Sequence, residues 1–263
     1  MIRDKTICAA RAAWYGLTEP VGVRLGRLRW SASADPLVSV YIPTFNRVDL
    51  LMKRALPSVL AQTYRNWELV VAAHGCTDGT ADVVWGIGDP RVRLIEVPRK
   101  RTYPPTALNH WLVGPVVPAN AALRRLRGNW IARLDDDDVW LPNHLDSLVG
   151  FALAHDYEFA SAAHDTPAGK VEPYRVRGAT IGGTQTWVYR SYLKFMRYNP
   201  DCWRKSWNKN NDIDLQNRFV GAGVRIGYLD EVTCHIYPRP GDTEIGSRAY
   251  LADEKRTEQR FAF

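Results

Sequence analysis

Apolar and polar positions along the chain recur in short blocks, and the blocks change character near residue 37. Leu37 to Ile42 is a short apolar run closed by Pro43, the pattern of a buried parallel strand. Arg47 to Gln62 follows as a helix, with Leu50, Leu51, Leu56, Val59 and Leu60 on its apolar face and Pro57 as an irregularity. Trp67 to Ala73 predicts a second buried strand, ending in the turn-rich His74 to Thr80, where Thr77 or Asp78 is placed to cap the next helix. Val92 to Val97 is a third strand, Asn120 to Leu126 a helix, and Trp130 to Leu134 a fourth strand. Further helices are expected over Asn143 to Ala154, Asp212 to Val220 and Ser247 to Arg260, and Gly178 to Thr184 reads as a flexible segment able to approach a ligand closely. Strands alternating with helices predict an α/β fold, a mainly parallel central sheet flanked by helices, with its site at the carboxyl edge of the strands.

Residues 1–36 stand outside this rhythm and read as an appended stretch of short helices or irregular structure. They hold six basic residues against three acidic ones, part of a net charge of +7. A second basic cluster is Arg91, Arg93, Arg99, Lys100 and Arg101. Such faces meet phosphates, anionic glycans, membranes or nucleic acid. The division that follows is a basic extension over 1–36, a main domain over 37–241 and a C-terminal helix over 242–263. The four cysteines show no metal-binding spacing, no apolar run reaches the ~20 residues of a membrane span, and the N-terminus lacks a long apolar segment. The chain reads as cytoplasmic, with peripheral contact at a membrane surface open to its basic face.

Chemistry concentrates at the end of the fourth strand, where Asp135, Asp136, Asp137 and Asp138 follow one another. Adjacent carboxylates repel, and a divalent cation with phosphate oxygens is the usual reason to gather them. An EF-hand is excluded, because its sixth position needs glycine and counting from Asp135 reaches Trp140. The segment Pro43-Thr44-Phe45-Asn46-Arg47, between the first strand and first helix, offers backbone, an aromatic ring and a cation to a nucleotide.

Taken together, Val40 to Arg47, Ser58 to Tyr64, Trp67 to Val71, Gly75 to Thr80, and Gly128 to Leu134 with the aspartates resemble family 2 glycosyltransferases in order and spacing. The resemblance is strongest over residues 37–150 and looser to about 240. It implies a GT-A fold with a donor half over 37–140 and an acceptor half over 141–241. It also implies a nucleoside-diphosphate sugar donor, Mn²⁺ or Mg²⁺, and inversion at the anomeric carbon. By position it places Pro43, Thr44, Phe45 and Arg47 in the nucleoside pocket, Asn120 beside the donor, and Asp135 and Asp136 on ribose and sugar. Asp137 falls on the metal, with His235 as a further metal or diphosphate ligand. The family's base-reading acidic pair is replaced by Ala73 and His74.

Asn210-Asn211-Asp212-Ile213-Asp214 resembles the motif that supplies the general base, with Asp212 first and Asp214 as the alternative. Trp187, Trp203, Trp207 and the Gly182-Gly183-Thr184 segment are candidates for the acceptor wall. The expected partners are the nucleotide-sugar donor and a glycan, lipid-linked or glycoconjugate acceptor, with no nucleic acid. A metal-dependent nucleotidyltransferase and a non-catalytic glycan- or nucleic-acid-binding module remain the alternatives at this point.

Overall fold

The computed structural model describes residues 2–31, 33–99, 106–204, 210–245 and 248. The first apolar run becomes β1 (Val38–Thr44), buried at each of its positions. Helix α2 (Val48–Leu50), a π-helical turn (Leu51–Ala55) and α3 (Leu56–Leu60) follow it. The widened turn stands directly before Pro57, which has no N–H to continue the ladder. Next come β2 (Trp67–His74), α4 (Thr80–Trp85), β3 (Val92–Val97), α5 (Ala107–Val113), α6 (Val116–Leu123) and β4 (Trp130–Arg133). The remaining elements are β5 (Asp138–Trp140), α7 (His144–Ala154), β6 (Phe159–Thr166), β7 (Gly169–Lys170), β8 (Tyr174–Val176), β9 (Ala179–Ile181), β10 (Val188–Arg190), α8 (Asn211–Gly221) and β11 (Ile226–Ile236).

The main sheet runs β3-β2-β1-β4-β10-β6-β11-β5, with β7 beside β6. Its first four strands are parallel, with Val40 opposite Leu69 on one side and Ala132 on the other. The other half is mixed and refines the expectation of a mainly parallel sheet, with β11 still parallel to β6. β10 is antiparallel to both β4 and β6, and β5 is antiparallel to β11. A parallel neighbour needs a crossover helix, and none lies between β6 and β10: the chain passes through β7, the β8–β9 hairpin and a 3-10 turn, Thr184–Thr186, before it re-enters the sheet. Side chains alternate across β1. Val38, Val40 and Ile42 join Leu51, Leu56, Trp140 and Leu148 in one core. Tyr41 faces the other, with Leu112, Ala119, Leu215 and Phe219. The sheet thus lies between two helical layers.

The expectation for the N-terminal segment is also corrected, because it forms a single helix, α1 (Ile2–Arg29). Gly16, Pro20, Gly22 and Gly26 argue against a helix by propensity, but two of those glycines are where the domain touches. A Cβ at Gly26 would lie 2.2 Å from Tyr192 Cδ2, and one at Gly22 would lie 2.4 Å from Phe195 Cζ. Ion pairs fix the docking. Arg218 binds Glu19, and Arg27 Nε and Nη2 donate to Glu158 at 2.6 Å each. Arg11 binds Asn199 and Asp201. The sequence signal was poor because the helix is apolar on more than one side.

Gly26→Ala is expected to lower stability by about 1–3 kcal/mol, overpacking outweighing the better helix propensity. Chemical denaturation checks this, and an unchanged midpoint would mean that α1 is not seated on Tyr192.

Candidate active site

The carboxyl ends of β1, β2, β4 and β6 open into one cavity of about 820 Å³, within the usual range for a small-molecule site. Pro43, Thr44, Phe45, Arg47 and His74 line it from the strand ends, Asp135 and Asp136 from the loop after β4, and Asp138 from the start of β5. Asn210, Asn211 and Asp212 close it from the start of α8. Arg99, His110 and Trp111 complete one end, and Arg239 with the chain after β11 another.

The loop geometry follows from local bonding. Asn46 takes a left-handed backbone, φ 47°, and its Oδ1 accepts from Thr77 N–H at 2.7 Å. Asp78 caps two helices at once, Oδ2 accepting from Val48 N–H at 2.8 Å and Oδ1 from Thr80 N–H at 3.2 Å. The loops after β1 and β2 are thereby tied together, which holds Phe45 near His74. Their rings meet edge-on at 6.4 Å, and the Arg99 guanidinium lies 4.3 Å over the Phe45 ring. Burial, aided by Arg99, pulls His74 down to about 4, and burial with Arg99 and His74 pulls His110 down to about 3. Both imidazoles are neutral at pH 7. Ala73 is buried within β2 and is not part of the cavity wall.

The four aspartates are unequal. Asp135 pairs with Arg133, whose Nη2 donates at 2.8 Å. Asp136 accepts from Thr44 Oγ1 at 2.8 Å and from Arg47 Nη1 at 2.7 Å. Burial raises its carboxyl and Arg47 opposes the shift. Asp137 Oδ2 accepts from Arg47 Nη1 at 3.1 Å and Arg239 Nε at 2.8 Å. Burial pushes it up, but Arg47, Arg239 and Arg54 together hold it below the ordinary carboxylate range. Asp138 is raised well above that range, by burial first and then by Asp137, Asp135 and Asp136.

This arrangement departs from the sequence reading at several residues. Asp137, the expected metal ligand, is engaged by two arginines and is not among the cavity-lining residues, whereas Asp138, given no role, is. His235 pairs with Asp165 through Nδ1 and also lies off the cavity wall, so Asp137 and His235 are not brought together there. Among the described residues no group of three or more His, Cys, Asp or Glu is arranged as a metal cluster. Asn120 spends its side chain on the backbone of Tyr198, Nδ2 donating to O at 2.8 Å and Oδ1 accepting from N–H at 3.0 Å. It does not line the cavity. Trp187 is core, packed on Phe159 and Phe219, with its indole N–H donating to Gly182 O at 2.9 Å. Trp203 packs at the core's edge, while Trp207 and all of the 247–260 helix but Arg248 lie outside the described residues.

Asp212 does reach the cavity. It stands in the first turn of α8, behind the N-cap Asn210, and accepts from Thr184 Oγ1 and from Ile213 N–H at 2.8 Å. Burial raises its carboxyl, the Thr184 bond and Arg133 oppose the shift, and Asp135 adds to it. Asp214 faces away, toward Arg218 and α1. Gly183 and Thr184 line the cavity, but a Cβ at Gly182 would lie 2.0 Å from Ala162 O, so that close approach is to β6 rather than to a ligand. Arg133, Arg239 and His110 escaped the sequence reading. Arg133 stands two residues before Asp135 but carries no assigned role in the motif, while Arg239 and His110 are marked only by their fold neighbours.

The sheet order and the cavity at its carboxyl edge define the class as a GT-A α/β fold. The model for glycosyl transferase family 2 matches residues 39–206, and the chain belongs to that family. A protein of Escherichia coli K12, WcaA, named as a glycosyl transferase of colanic acid biosynthesis, is 31% identical over 233 residues, covering 81% of this chain and 76% of its own. WfgD of E. coli, named a UDP-Glc:α-D-GlcNAc-diphosphoundecaprenol β-1,3-glucosyltransferase, is 32% identical over 125 residues, 48% of this chain and 44% of its own. Among solved structures, S. aureus TarS 1–349 in complex with UDP-GlcNAc has a TM-score of 0.59 at 19% identity, covering 78% of this chain and 59% of that one. The Pyrobaculum calidifontis mannosyltransferase PcManGT, in complex with GDP-Man and Mn²⁺, has a TM-score of 0.57 at 20% identity, covering 90% and 70%. The chain therefore spans under half of WfgD and less than two thirds of that TarS chain.

Arg47→Met is expected to cost about 3 kcal/mol at neutral pH, because it leaves a buried carboxylate without its cation. Denaturation of Arg47→Met, Asp136→Leu and the double variant checks this. The double variant should recover part of the loss, and additive losses would mean the pair is not coupled.

Proposed function

We propose that the chain transfers a hexose or deoxyhexose from a nucleoside-diphosphate donor to a hydroxyl of a glycan, lipid-linked or other glycoconjugate acceptor, with inversion. The observation that carries this reading is that Asp212 and the aspartate loop line the same cavity, so a base and a diphosphate site stand across one space. The family membership supports transfer, and the nucleotidyltransferase alternative has no support from it.

Asp212 takes the acceptor proton as the hydroxyl attacks the anomeric carbon and the nucleoside diphosphate departs from the opposite side. Its raised carboxyl makes it a stronger base than an ordinary aspartate, and Thr184 orients it. At the other end the nucleoside lies against Phe45, where Arg99 and neutral His74 offer donors to acceptor atoms of the base. Arg47, Arg99 and Arg239 on the cavity wall suit an anionic leaving group.

Mn²⁺ or Mg²⁺ belongs to this reading, and the chemistry of Asp138 supports it. That carboxyl lines the cavity, is crowded by three others and is short of positive charge. Asp138 and Asp135, both on the cavity wall, would hold the ion. When bound, such an ion supplies Lewis-acid neutralisation of the departing diphosphate. The Mn²⁺ in the PcManGT complex is in keeping with the ion, and the lipid-diphosphate acceptor in the name of WfgD with a lipid-linked acceptor.

Asp212→Asn is expected to keep donor binding and to lose at least a hundredfold in transfer rate; near-normal turnover would remove Asp212 from the base role. Thr184→Val should shift the acid limb of the rate profile to higher pH, since the lost hydrogen bond had favoured the ionised form. A limb that stays in place would separate Thr184 from the base. Thermal shifts with a panel of nucleoside diphosphates, with and without Mn²⁺, identify the donor: one base should stabilise strongly and more so with Mn²⁺. No stabilisation by any of them would contradict a nucleotide site.

A further inference from the structure

The side of α1 turned away from the domain has a composition that no contact among the described residues explains. Trp14 is 65% exposed, Leu17 73%, Val21 55%, Leu25 46% and Leu28 83%. Their spacings of three and four residues place them on one stripe, roughly 20 Å long at 1.5 Å per residue. Tyr15, Glu19, Val23 and Gly26 lie on the opposite side, against the domain. Phe195, 42% exposed and packed at Gly22, adds another ring close to the helix. An apolar strip of this size on a water-facing surface marks an interaction site.

The charges beside the strip select its partner. Among the described side chains of α1, Arg24 and Arg29 are the exposed charged groups, one on each flank of the stripe, and no exposed acid accompanies them. The helix's described acid, Glu19, is buried on Arg218. We propose that this face binds anionic phospholipid surfaces, with α1 lying in the plane of the headgroups. Trp14 and the leucines enter the acyl boundary, while Arg24 and Arg29 reach lipid phosphates. A second copy of the chain docked on the same strip would bring arginines together without an acid to answer them. The helix lies on the bilayer rather than crossing it, because no described helix is long and apolar enough to span. α1 packs along α8, which carries Asp212 in its first turn.

Vesicle co-sedimentation of the full chain tests this. The wild type should bind phosphatidylcholine vesicles containing phosphatidylglycerol at least tenfold more tightly than phosphatidylcholine alone, and lose that preference in high salt. Leu17→Glu with Leu28→Glu should weaken binding at least tenfold, since two exposed leucines no longer leave water. Arg24→Glu with Arg29→Glu should abolish the preference for the anionic lipid. All of these variants should keep the wild-type melting temperature, because the positions are exposed. Equal vesicle binding by wild type and the leucine variant overturns the proposal. So does an absence of vesicle binding with a dimer, seen by analytical ultracentrifugation, that the leucine variant dissolves.

Discussion

Four consecutive carboxylates at the end of β4 are the constraint around which the rest of the site is arranged. Two such groups about 5 Å apart repel by roughly 3 kcal/mol at an effective dielectric near 20. The fold answers with cations drawn from separate places: Arg133 from β4 itself, Arg47 from the loop after β1, Arg54 from the π-helical turn and Arg239 from beyond β11. Arg54 Nη1 donates to Asp137 O at 3.0 Å and Nη2 to Pro238 O at 3.1 Å, so one side chain joins the aspartate loop to the end of β11. The compensation is incomplete, and the deficit falls on Asp138. In the proposed reaction, a buried carboxyl short of positive charge beside several cavity-facing arginines would suit a ligand carrying both a cation and phosphates.

The parallel half of the sheet was legible because its signals are local. Apolar runs of strand length, Pro43 at a strand end and a glycine-rich turn after β2 each say where an element stops. The mixed half was not legible, because the direction of β10 depends on how the chain returns through Thr184–Thr186, and nothing within Val188–Arg190 encodes it. α1 was hidden for a different reason. Its glycines and Pro20 lower helix propensity, and apolar residues on two sides erase the periodicity that marks a helix packed on one. The tertiary contacts of Gly22 and Gly26 override both.

For the site, residue types were easier to read than their partners. Thr44, Phe45, Arg47, His74, Asp135, Asp136 and Asp212 all reach the cavity from positions assigned by sequence. Asn120, Asp137 and His235 were chosen by the same logic, yet each has a protein partner: Tyr198, two arginines and Asp165. A sequence motif fixes where a side chain starts, while its competing partners come from distant segments. Arg239 lies about a hundred residues from the aspartate it binds and belongs to no motif. At the end of the cavity proposed for the nucleobase, Ala73 and His74 in place of an acidic pair leave donors, Arg99 and a neutral imidazole, facing the pocket.

In the proposed reaction a single displacement takes place at the anomeric carbon, with Asp212 on the acceptor side and the diphosphate on the aspartate side. The anomeric configuration of the product tests it most directly. With an α-linked nucleotide-sugar donor, proton NMR of the first-formed linkage should show the β anomer. An α linkage would require two displacements or front-side attack, and would contradict the roles assigned to Asp212 and the aspartate loop.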